Sequence, residues 1–170
     1  DGLVWCDGDT FLVIPGTYDP FSLVDVSPNI VSTNGSASTV IDAAGAGRAV
    51  NLDRFGGEFS GFTIENGDAA LEIQNYGGGV RLYSSSGTLL SDLVIRNNAG
   101  STGGGIEIRH PEDVVFRDSV VESNSASTDG GGLRINTTLG TGSGTLLIEN
   151  VAFLGNDALS EGGGVHIKSD

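Results

Sequence analysis

Four short segments hold most of the side chains that could do chemistry: Val80-Arg81-Leu82-Tyr83, Ile106-Glu107-Ile108-Arg109, Leu133-Arg134-Ile135-Asn136 and Val165-His166-Ile167-Lys168. Each follows a Gly-Gly-Gly triplet and alternates apolar with polar residues. Read in columns, the polar positions form two rows. The first is Arg81, Glu107, Arg134, His166; the second is Tyr83, Arg109, Asn136, Lys168. The chain has only 8 Lys and Arg and 2 His against 22 acids, so five of its ten basic or potentially basic side chains share this strip. The planar fork of arginine binds carboxylates through two parallel hydrogen bonds. The strip is therefore a candidate binding surface for an acidic sugar or another polyanion. The competing reading is a charge ladder on an outer face, with Arg81 and Arg134 flanking Glu107 at about 0.2–1 kcal/mol per opposite pair. A parallel row, Glu65, Arg96, Glu122, alternates in the same way and favours the ladder.

Other reactive groups are sparse. His110 stands in His110-Pro111-Glu112-Asp113, which reads as a turn, and His166 lies in the strip. Neither has a Ser, Cys or second His at a spacing that predicts a triad or a zinc site, so no metal centre and no catalytic residue is assigned. A glycosidase needs two carboxyl groups held at a set separation across a groove. Asp92 and Asp118 share one column, continued by Asn150 at a corner, which reads as a solvated turn. The same two acids are the weak calcium candidates, because calcium accepts a flexible oxygen shell. No other cofactor is expected. The single Cys6, beside Trp5, reads as a small buried hydrophobe. Asn34-Gly35-Ser36 and Asn136-Thr137-Thr138 match the glycosylation acceptor pattern.

The elements that would position these residues follow from the repeat. The triplets start at Gly77, Gly103, Gly130 and Gly162, at intervals of 26, 27 and 32 residues. Upstream lies a second column: Leu90, Leu93, Ile95 before Asn98; Phe116, Ser119, Val121 before Asn124; Ile148, Val151, Phe153 before Asn156. Phe59, Phe62 and Ile64 fit an earlier copy. No apolar period of 3.6 residues runs long enough for helices, and glycine costs about 1 kcal/mol at each helical position. Alternation over four residues is instead a half-buried strand. Three short strands with sharp corners fill each interval, so the chain coils and stacks at about 4.8 Å per turn. Apolar columns then form a continuous core, each buried aliphatic or Phe side chain contributing roughly 1.5–3 kcal/mol before chain entropy. Asn98, Asn124 and Asn156 become an inward amide ladder. A third outward row, Val94, Val120, Ala152, with Leu154 added, is a candidate contact patch.

These features predict an all-β fold, a single-stranded right-handed parallel β-helix of about five to six coils and roughly 25–30 Å length. Residues 49–170 form the regular coils and 1–48 a less regular start, in which Asp9 to Tyr18 reads as a strand closed by Pro15-Gly16, and Asn29 to Ser32 and Thr39 to Asp42 as short strands. The whole of 1–170 reads as one domain, a fragment of or a module within a longer protein. A net charge of −14 argues against nucleic acid and anionic membranes as partners, and no apolar run is long enough to span a bilayer.

Gly-Gly-Gly followed by an aliphatic residue, alternating with aliphatic-x-x-Asn, resembles the repeats of the polymorphic outer-membrane protein family, the passenger domains of autotransporters. The stretch Gly8 to Tyr18 followed by Thr39 to Asp42 is similar to the first coils of bacterial right-handed β-helix repeat proteins. The resemblance implies a secreted or cell-surface module, adhesive or structural, with an extracellular glycan or another protein as partner. Two other functions are weighed against it. One is a polysaccharide lyase or glycoside hydrolase acting on an acidic polysaccharide, with Arg81, Arg109, Arg134 and Lys168 as substrate contacts. The other is a filament subunit that associates end to end.

Overall fold

The computed structural model describes residues 7–137 and 144–169. In chain order its strands are β1 (Thr10–Val13), β2 (Gly16–Tyr18), β3 (Phe21–Val24), β4 (Asn29–Ser32), β5 (Thr39–Asp42), β6 (Val50–Asp53), β7 (Glu58–Glu65), β8 (Val80–Tyr83), β9 (Leu89–Arg96), β10 (Ala99–Thr102), β11 (Ile106–Arg109), β12 (Val114–Glu122), β13 (Ser125–Asp129), β14 (Leu133–Asn136), β15 (Leu146–Leu154), β16 (Asp157–Ala158) and β17 (Val165–Lys168). Among the described residues a single 3₁₀ turn, Ala69–Leu71, lies between β7 and β8. The chain winds through a parallel β-solenoid of about five turns. A large sheet runs β1-β4-β7-β9-β12-β15, with β2 and β5 alongside. A second sheet runs β3-β6-β8-β11-β14-β17, and a short third one β10-β13-β16.

In-register pairing explains the apolar columns. Phe59, Leu90, Phe116 and Ile148 are successive partners in the large sheet. Phe21, Val50, Val80, Ile106, Leu133 and Val165 are successive partners in the second. Both columns point inward, and the members from the middle turns are fully buried. The Phe59 and Phe62 rings stack with centroids 4.8 Å apart and fill the core near the start of the regular turns.

The triplets earn their three glycines for different reasons. The first, at Gly77, Gly103, Gly130 and Gly162, has φ between 56° and 65°, where a Cβ is strained. The second has no room: a Cβ on Gly78, Gly104 or Gly131 would sit 2.0 Å from a carbonyl oxygen of the next turn. The third is nearly as tight, with a carbonyl 2.6 Å from a Cβ on Gly79 or Gly105.

Two details differ from the sequence reading. The expected strand from Asp9 to Tyr18 is split into β1 and β2, because Pro15 has no N–H for the ladder. The chain re-enters the sheet at Gly16, whose N–H donates to the Ser38 carbonyl at 3.0 Å. The regular coils expected from residue 49 begin one residue later, with β6 starting at Val50 opposite Val80. Among the described residues no helix is long and apolar enough to cross a membrane.

Candidate functional site

The two polar rows lie together on the outward face of the second sheet, in register. Asn51, Arg81, Glu107, Arg134 and His166 are successive partners, as are Asp53, Tyr83, Arg109, Asn136 and Lys168. Their exposure, however, departs from the expectation of a solvated strip. Arg81, Arg134 and Asn136 are buried, and Glu107 has no exposed surface at all. Arg109, Tyr83 and His166 are partly covered, and Lys168 alone is exposed.

The cover comes from the corner that precedes each strand of the second sheet. Arg48 donates from Nε to the carbonyls of Tyr76 (3.1 Å) and Gly77 (3.0 Å), and from Nη2 to Tyr76 (2.7 Å) and Gln74. This grip anchors the segment after the 3₁₀ turn. The Tyr76 ring then lies 4.8 Å from the Arg109 guanidinium, and the Tyr83 ring 4.5 Å from that of Arg81. Such contacts are worth about 0.5–1 kcal/mol, and more when desolvated. At the next corner Thr102 Oγ1 donates to Glu107 Oε2 at 3.0 Å.

The covered charges are matched internally. Arg134 Nη1 lies 2.6 Å from Glu107 Oε1, and Arg109 Nε 4.0 Å away. Arg81 Nη1 donates to Asn51 Oδ1 at 2.9 Å and lies 3.6 Å from Asp53. Burial pushes the Glu107 carboxyl above the usual glutamate range, opposed by Arg134 and by the Thr102 hydrogen bond. Glycan contacts by Arg81 and Arg134, expected from the sequence, would require this packing to open. The parallel row is paired as well, with Arg96 Nε 2.7 Å from Glu65 Oε2.

Asn98, Asn124 and Asn156 join three turns. Asn98 Nδ2 donates to Asn124 Oδ1 at 3.0 Å, and Asn124 Nδ2 to Asn156 Oδ1 at 2.9 Å. Each amide also donates to a strand-end carbonyl, Ile64, Ile95 or Val121. In the earlier turn this column is Gly67, whose N–H donates to Asn98 Oδ1 at 2.7 Å.

Asp92 and Asp118 are occupied by the fold. With Gly61 and Asn150 they form a column of positive φ (83°, 48°, 49° and 53°) in the middle of the long strands. Asp and Asn tolerate that conformation better than other residues with a Cβ. Asp92 accepts from the Ser36 hydroxyl (2.9 Å) and N–H (3.3 Å), and Asp118 from Asn150 Nδ2 (2.8 Å). Val94 and Val120 are half-buried and Ala152 is exposed, while Leu154 sits in the adjoining row opposite Glu122. His110 takes a positive φ of 50° and packs edge-on against Tyr83. Asn34 is exposed, whereas Asn136 is buried as an acceptor for glycosylation. Trp5, Cys6 and Thr138 lie outside the described residues.

One grouping escapes the sequence columns. Asp129, Glu161 and His166 each place a ligand-competent atom within 4.8 Å of the others, on the rim of a cleft of about 460 Å³. The signal for it is the residue before each triplet, which is Tyr76 or Thr102 in the early turns and an acid in the last two. No family model, no curated protein and no solved structure matches this chain, so the functional reading rests on its own residues.

Proposed function

We propose that this chain is a non-enzymatic module of a secreted or cell-surface protein, structural or adhesive in role, of the kind its resemblance to polymorphic outer-membrane repeats implies. The observation that carries the reading is the Glu107–Arg134 pair, 2.6 Å apart with Glu107 fully buried. Charges that would have to face a substrate are instead spent joining one turn to the next. Stacked repeats of this kind make a rod with long, regular faces.

If the module takes an acidic glycan, the accessible members of the strip, Tyr83, Arg109, His166 and Lys168, are its contacts. The test titrates polygalacturonate and a neutral polymer into the protein, following binding by calorimetry and unsaturated product by ultraviolet absorbance. Saturable binding to the acidic polymer, without product and weakened in the Arg109→Ala, Lys168→Ala double variant, supports the reading. Product that accumulates in proportion to protein sinks it in favour of a lyase.

A further inference from the structure

We propose that Asp129, Glu161 and His166 form a binding site for a divalent first-row transition ion, of which zinc is the natural probe. The three residues come from two successive turns and two sheets. Asp129 ends β13 and bridges to Glu161 in the turn that follows. His166 is on β17, beside Arg134 in register. The corner glycines bring the columns together. A Cβ on Gly162 would lie 2.9 Å from the His166 Cβ, so the turn after Glu161 packs directly on the β17 strand. Two turns back from Glu161 and His166, the same corner sets Thr102 against Glu107 in a hydrogen bond of 3.0 Å. The last turns repeat that juxtaposition with ligating side chains in its place.

The geometry suits an ion. His166 Nε2 is 3.3 Å from Glu161 Oε2, and Nδ1 is 3.7 Å from Asp129 Oδ2. A single ion takes one of these nitrogens; Nδ1 is shielded from solvent and has no hydrogen-bond partner, a cost that an ion bound at Nδ1 itself would offset. Donor atoms around a tetrahedral ion with bonds of about 2.0–2.2 Å lie about 3.4 Å apart. All three atoms already fall within 4.8 Å of one another, and Glu161, with 70% of its side chain exposed, is free to close the remainder. One imidazole and two carboxylates neutralise a divalent charge, while the cleft leaves a fourth position to water. The imidazole selects against calcium and magnesium, which prefer oxygen ligands alone. Lys168 lines the same cleft and opposes the ion.

The test is zinc titration of chelator-treated protein by calorimetry, with cobalt substitution read by visible absorption. Stoichiometric binding is expected, weakened at least about tenfold in His166→Gln and in Asp129→Asn. Cobalt should give the intense visible bands of a four-coordinate site, and Lys168→Ala should bind zinc more tightly. Circular dichroism checks that each variant is folded, and His166→Gln is mild because the residue lies on an edge strand. An excess of calcium should not displace the ion. Absence of saturable zinc binding, or equal binding by folded wild type and His166→Gln, overturns the proposal and leaves His166 a bridge between two carboxylates.

Discussion

At the scale of single residues, the most consequential group is Glu107. A buried ion pair gains Coulomb energy and loses hydration, and the balance is often near zero or unfavourable. Here burial dominates, and the folded carboxyl titrates above its ordinary value of 4.5. The folded state therefore holds a proton that the unfolded chain releases. Glu107 favours folding most below the ordinary value, and that contribution is lost as pH rises through the folded carboxyl's pKa. A Glu107→Gln variant imitates the protonated form. The melting temperatures of the two proteins should be close in acid, and the variant should gain on the wild type as the pH is raised towards neutrality. A wild type that gains on the variant instead would mean that Arg134 outweighs desolvation. Removing Arg134 is the harsher change, because it leaves a buried carboxylate without its partner.

At the scale of the element, the glycine corner decides whether turns can stack. Two glycines separate the demands of positive φ and close approach. Gly155 (φ 57°) has nothing within 4 Å of an added Cβ, so Gly155→Ala meets only the backbone penalty of roughly 1–2 kcal/mol. Gly104 has an unremarkable φ, but its Cβ would lie 2.0 Å from the Ser125 carbonyl oxygen, itself part of the adjoining turn. Urea denaturation should find Gly155→Ala folded with a modest loss and Gly104→Ala unfolded or severely destabilised. Similar midpoints for the two would refute the close-approach argument. The amide ladder beside the corner works on the same logic, since Asn124 satisfies two backbone groups of the preceding turn, the Asn98 N–H and the Ile95 carbonyl.

At the scale of the molecule, most contacts run between successive turns, with the Ser36–Asp92 hydrogen bonds reaching across an intervening one, so stability should behave as a chain of coupled units. The middle turns, with β8, β9, β11 and β12, bury their apolar columns completely. The outer turns do not, as the column members Phe21, Leu23, Val165 and Ile167 keep exposed surface. Amide hydrogen exchange should be slowest in those four strands and fastest in β1, β2 and β17. Uniform protection along the rod would indicate one cooperative unit instead. The −14 charge favours repulsion between molecules unless a bound ion offsets it.

The sequence alone determined the columns. Period-two alternation, glycine triplets at near-constant spacing and the recurrent Asn are local features that in-register stacking repeats turn after turn. The earlier copy at Phe59, Phe62 and Ile64 could be aligned for the same reason, and it pairs with Leu90, Leu93 and Ile95. Only the tertiary structure decided which outward columns are open to solvent. A strand pattern says that Arg81, Glu107 and Arg134 point away from the core. It carries no record of Thr102 and Gly103 closing on Glu107, or of Arg48 holding the backbone whose Tyr76 ring lies against Arg109. The same holds for Asp129 and Glu161, which alternation assigns to one face and His166 to another. They meet because a corner folds one sheet's edge against the next, a contact between columns rather than along them.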